Sequence, residues 1–221
     1  MKPKRQKYYI AGFVVLTVLL ATHARAEFYI AGEAGYTIPN DLSNVTTTGA
    51  TPGITISDID LKDSFMYGGK IGYFFQSLTW LGVEAEAFNT TPHIKEQTLT
   101  ASAAGTTASA LSSGAHFRVL TLAFNLIARY PGKTFQPYGG VGLGIFFAKI
   151  SDETGSISDN GVLGLNALAG IRWFLTDHFA LFAEYKYTRA AFSFDNVPAT
   201  GTGLDADYSA SHIAGGLSFH F

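Results

Sequence analysis

The chain contains no cysteine, which excludes disulfides and thiolate metal sites. It is also short of charge. Only 14% of its 221 residues are Asp, Glu, Lys or Arg, against roughly 25% in an average soluble domain. Beyond the first 26 residues no apolar run reaches the about 20 residues that a membrane helix needs. A helical membrane protein is therefore excluded as well. What the chain has in quantity is hydrophobic residues, at 47%, and glycine, at 24 residues, which is too much for a helical protein. Low charge, high hydrophobicity and no long run are reconciled by a membrane β-barrel, which alternates lipid-facing with lumen-facing residues. The length suits one domain.

Residues 1–26 differ in kind. Lys2, Lys4, Arg5 and Lys7 form a basic start, an apolar stretch runs from Tyr8 to Ala21, and Ala24-Arg25-Ala26 has the small-x-small pattern of a cleavage site. They are read as a cleaved signal peptide, with the mature domain at 27–221. This segment carries five bases and no acid, so the remainder has ten bases against seventeen acids, a net of −7. Such a surface does not suit a nucleic-acid partner.

After Ala26, alternation of apolar with small or polar residues recurs eight times, which is the signal of strands with two unlike faces. The second run sets Phe65, Tyr67, Ile71 and Tyr73 against Met66, Gly68, Lys70 and Gly72. The seventh sets Leu181, Ala183, Tyr185 and Tyr187 against Phe182, Glu184 and Lys186. Connections alternate in length. Short turns are expected around 76–79, 131–134 and 176–178, and long connections over about 38–62, 89–115, 150–162 and 195–208. Short periplasmic turns and long external loops are the organisation of outer-membrane barrels, and eight strands then place both termini in the periplasm. Phe28, Tyr73, Phe75, Trp80, Tyr130, Phe135, Trp173, Phe179, Phe219 and Phe221 all lie near a short turn or a terminus. They predict an aromatic girdle at the lipid–water boundary. The expected fold is all-β, an eight-stranded antiparallel up-and-down transmembrane barrel.

The sequence Pro137-Tyr138-Gly139-Gly140-Val141-Gly142-Leu143-Gly144, with Ala169-Gly170-Ile171-Arg172-Trp173-Phe174 and Glu184-Tyr185-Lys186-Tyr187, resembles the small outer-membrane barrels that include the transmembrane domain of OmpA and the opacity-type surface proteins. The resemblance covers the whole mature chain. It implies that Leu217, Phe219 and Phe221 form the terminal assembly signal read by the barrel-assembly machinery, with periplasmic chaperones as transient partners. The chain departs from full-length OmpA in ending at Phe221, so no peptidoglycan-binding domain is expected.

The faces opposite the apolar stripes carry Glu33, Lys70, Glu84, Glu86, Arg129, Arg172, Glu184 and Lys186. A barrel of eight strands is just wide enough for side chains to fill, and isolated buried ions are costly. These residues are therefore read as a salt-bridge network that plugs the lumen. Glu84 or Glu86 is expected to pair with Lys70 or Arg129, and Arg172 with Glu184. Glycines 140, 142 and 144 are expected to give room for neighbouring Arg or Lys. At the other strand ends, Lys62, Lys95, Arg118, Lys149 and Arg189 are candidate contacts for lipopolysaccharide phosphates.

Ser211-His212 suggests a lipid A-modifying hydrolase, but adjacent strand residues point to opposite faces. His93 and His116 have no metal-ligand spacing. No catalytic, metal or cofactor-binding residue is assigned, and no cofactor is expected. The reading is a monomeric outer-membrane protein with a structural, surface-antigen or adhesin role, bound to outer-membrane lipids and offering its loops to a surface ligand. A narrow pore for small solutes is the alternative.

Overall fold

The computed structural model describes residues 27–49, 52–112, 114–151, 156–158, 161–194 and 202–221. The signal-peptide reading of 1–26 lies outside them. The strands in chain order are β1 (Glu27–Pro39), β2 (Ser43–Gly49), β3 (Thr55–Ile56), β4 (Leu61–Lys62), β5 (Ser64–Phe74), β6 (Leu81–Thr90), β7 (His93–Ile94), β8 (Gln97–Ala103), β9 (Thr106–Ser112), β10 (Ala115–Arg129), β11 (Phe135–Ser151), β12 (Ser156–Ser158), β13 (Val162–Phe174), β14 (Phe179–Phe194) and β15 (Thr202–His220).

Eight of these make the wall, in the order β1-β5-β6-β10-β11-β13-β14-β15. Strand β1 pairs antiparallel with β5 on one side and with β15 on the other, which closes the barrel. Closure follows from the two-residue period. A sheet with one continuous apolar face and no second sheet to pack against can remove both edges only by joining its ends.

The apolar stripe faces outward. Leu143, Phe124 and Leu163 are 57%, 62% and 71% exposed, while Lys70, Glu84 and Lys186 on the opposite parity are buried. This inside-out pattern suits a lipid environment. The girdle aromatics meet at one end of the barrel. Phe28 lies 5.5 Å from Phe221, Phe219 lies 5.0 Å from Phe179, and Phe135 stacks on Trp173 at 6.0 Å between ring centres. The three short turns lie at this same end. In one of them Thr176 Oγ1 accepts the backbone N–H groups of His178 and Phe179, a local bond that fixes the reversal.

Among the described residues, much of the long connections is itself β-structured. A tilted barrel strand needs only about 9–11 residues to cross a bilayer, whereas β11, β14 and β15 have 17, 16 and 19. The wall overshoots at the loop end. There β15 pairs with β2, β2 with β3, β3 with β8, and β8 with β9. The Thr-rich runs Val45-Thr46-Thr47-Thr48 and Thr98-Leu99-Thr100 explain this, since β-branched residues favour an extended backbone. They look loop-like by polarity but not by propensity.

Candidate functional site

The interior has three tiers. The middle one is ionic. Lys70 Nζ lies 2.9 Å from Glu184, 3.3 Å from Glu33, 3.8 Å from Glu84 and 3.9 Å from Glu86. Lys186 Nζ lies 2.5 Å from Glu33 and 3.4 Å from Glu184, and it also contacts Glu86. Strands β5 and β14 are not neighbours in the wall, so the Lys70–Glu184 pair spans the lumen. The narrow bore of eight strands makes this reach possible. All six side chains are at most 2% exposed. In so dry a place each charge requires a partner.

Four carboxylates face two ammonium groups, and neutral donors take up part of the excess. The Tyr29 hydroxyl donates to Glu84 at 2.5 Å, the Tyr138 hydroxyl to Glu184 at 2.7 Å, and the Asn125 amide to Glu84 at 3.3 Å. Two glycines permit this. A Cβ on Gly72 would stand 2.3 Å from the Tyr29 ring, and one on Gly170 would stand 2.7 Å from the Tyr138 ring. The glycine runs of β11 do not serve Arg or Lys as expected. Gly142 instead abuts Asn125, with 2.3 Å between a built Cβ and its side-chain oxygen.

Arg172 also departs from the expected pairing. No ion pair to Glu184 forms; Lys70 and Tyr138 occupy that carboxylate. The guanidinium lies 4.4 Å from the centre of the Tyr29 ring and 5.1 Å from that of Tyr138. Its Nε and Nη1 are buried without hydrogen-bond partners. The cation is held by aromatic faces, one layer removed from the carboxylates.

Arg129 belongs to a separate cluster at the turn end. Its guanidinium grips Glu27 at 2.5 and 2.7 Å, and donates to Gln136 at 3.1 Å and to the Thr79 carbonyl at 2.9 Å. His220 Nδ1 lies 2.6 Å from the same Glu27. The expected pairing of Arg129 with Glu84 or Glu86 is thus replaced. Glu27 is the residue the sequence reading missed, although it shares the lumen parity of Tyr29 and Glu33.

Glu33, Glu86 and Glu184 each bring a carboxylate oxygen within 4.8 Å of the others. The Lys70 and Lys186 ammonium groups already stand among them, so the cluster is built as a cation site with its cations in the chain.

Above the ionic tier His212 is clamped between Thr37 at 2.9 Å and Thr188 at 3.0 Å. Ser211 points the other way and meets the Tyr185 hydroxyl at 2.9 Å, so the two adjacent residues form no nucleophile–base pair. The loop end is then sealed by apolar side chains. Val45 from β2 and Leu42 and Ile59 from the flanking connection pack with Phe117, Phe146 and Tyr208. Each of the six is 7% exposed or less.

On the outer surface, Arg118 and Lys149 stand directly opposite one another across β10 and β11. Lys95 lies 3.7 Å from Asp60 and Arg189 lies 3.8 Å from Asp207. At the C-terminus, Phe219 meets Phe221 at 4.8 Å, and the Phe221 N–H donates to the Phe28 carbonyl at 2.9 Å.

Residues 11–221 match the family described as "Outer membrane protein beta-barrel domain". Among solved structures, the chain is similar to Neisserial surface protein A, at 14% identity and a TM-score of 0.55, covering 88% of this chain and 97% of that one. It is also similar to the outer membrane protein OprG from Pseudomonas aeruginosa, at 18% identity and a TM-score of 0.57, covering 90% and 97%. No curated protein matches.

Proposed function

The chain belongs to the outer membrane protein beta-barrel domain family, and from that premise we propose that it is a sealed barrel whose work is done by its loop end, as a surface protein of adhesin or structural type. The observation that carries this is the double closure of the lumen. Six buried ionic side chains fill its middle, and an apolar core fills the loop end. A conducting pore needs a continuous polar path, and neither tier offers one.

The loop end supports the same reading. Its strands extend the wall as a sheet ending at β9, which among the described residues pairs only with β8. Residues 106–112 of β9 carry no charge. A preformed, uncharged edge strand suits recognition of an extended partner segment by backbone hydrogen bonds.

Both termini face the periplasm in this reading, because the mature N-terminus and Phe221 lie at the end of the short turns. Assembly proceeds through periplasmic chaperones and the barrel-assembly machinery, with Leu217, Phe219 and Phe221 as the signal. The protein acts as a monomer, since the closed wall leaves no edge in the membrane. Its lipid partner is lipopolysaccharide. Two cations placed directly opposite one another repel, and Arg118 and Lys149 stand so, just beyond the outward apolar pair Leu120 and Phe147. Lys62 stands apart from this pair, opposite His93, which is itself opposite His116. Lys95 and Arg189 have carboxylate partners and contribute less.

The test has two parts. In planar bilayers the purified protein gives no stable conductance, whereas steady single-channel steps would replace this reading by the narrow pore. In cells, deletion of residues 97–112 removes adhesion to a surface ligand while leaving barrel stability unchanged. Adhesion unaffected by that deletion would take the edge strand out of the function.

A further inference from the structure

The histidines that lie 23 residues apart in sequence meet in space. Strand β7 pairs with β10 so that His93 faces His116 directly. Their ring centres are 4.4 Å apart with planes inclined at 67°. Both are exposed and line an open cleft of about 510 Å³ with Glu96, Lys62 and Ser151. Strand pairing builds the row: Lys62 lies opposite His93, His93 opposite His116, and His116 opposite Ser151.

A second observation sets the chemistry of one ring. His93 Nδ1 lies 3.2 Å from the Thr91 carbonyl. A carbonyl only accepts, so Nδ1 donates, which leaves Nε2 as the ring nitrogen available to a metal ion. Hydrogen bonding of the distal ring nitrogen to a backbone carbonyl is how metal-ligating histidines are oriented. The same cleft is lined by one side chain of each charge, Glu96 and Lys62.

We infer that His93 and His116, with water completing the shell, form a binding site for a divalent transition metal of the zinc class on the outer rim of the barrel. Two imidazoles select zinc, nickel or copper over magnesium or calcium, which take oxygen ligands. The open positions mark an exchangeable rather than a buried structural site. Its consequence is mechanical. His116 belongs to the wall and His93 to the connection that carries the β8–β9 hairpin, so a bound ion staples the stem of that hairpin to the barrel.

The test uses untagged protein refolded in detergent and titrated calorimetrically with zinc chloride. Wild type binds one zinc per chain. His93→Ala and His116→Ala each lose about tenfold or more in affinity, and the exposed control His178→Ala loses nothing. Zinc X-ray absorption on wild type, which does not depend on any variant folding, shows imidazole nitrogen at about 2.0–2.1 Å. Amide exchange in β7, β8 and β9 slows with zinc in wild type only. The inference is overturned by absence of zinc binding to wild type, by unchanged binding in the His93→Ala/His116→Ala double variant, by an all-oxygen zinc shell, or by inorganic phosphate rather than zinc protecting these segments.

Discussion

Individual lumen residues differ in weight by how many opposite charges they touch. Lys70 contacts four carboxylates, so its removal strands several buried anions together. Breaking a buried pair in this way typically costs about 3–5 kcal/mol. Lys70→Met lowers the unfolding free energy of the lipid-refolded protein, read from urea titration, by an amount in that range, and admits ion leakage in bilayers. Among the described residues Arg172 holds no ion pair, and two of its nitrogens have no hydrogen-bond partner. Arg172→Met, of similar volume, therefore leaves the midpoint nearly unchanged, because the lost attraction to the Tyr29 and Tyr138 rings is offset by relief of unmet donors. Equal losses from the two substitutions would mean that Arg172 carries as much of the lumen's stability as Lys70.

Strands are specified by parity, so neighbouring positions fail for opposite reasons. Leu143 is outward, and Leu143→Arg costs about 2–4 kcal/mol if it sits near the bilayer midplane, measured by refolding titrations in lipid vesicles. The loss shrinks in detergent micelles, where a charged head reaches water easily. Gly72 is inward, and Gly72→Val drives two new methyl groups and a Cβ into the Tyr29 ring, which breaks its bond to Glu84. Overpacking of this kind costs about 1–3 kcal/mol and is the same in vesicles and micelles. A Gly72→Val loss that depended on lipid, or a Leu143→Arg loss that did not, would reverse the assignment of faces.

For the molecule as a whole, orientation is the open property with the plainest readout. The hairpin between β8 and β9 turns at Ala104 and Gly105, both with positive φ, at 47° and 80°. An epitope inserted between them is reached by antibody on intact cells. One attached before Glu27 in the mature protein is reached only after the outer membrane is permeabilised. The opposite pattern would place the termini outside and overturn the proposed role of the loop end.

Fold class and facing were determined by the sequence alone, because a two-residue period acts locally: each residue's side of the sheet follows from its neighbours, and eight repeats with alternating connection lengths leave only one closed arrangement. The membership of the lumen set, Glu33 through Lys186, followed from the same parity, as Glu27 would have done. Partners within the set were decided only by the tertiary structure. Which carboxylate Lys70 reaches depends on strand stagger and bore, which put β14 across from β5 and interposed Tyr138 between Arg172 and Glu184. The same holds at the rim, where register across β4, β7 and β10 brought Lys62, His93 and His116 into one row that no spacing along the chain encodes.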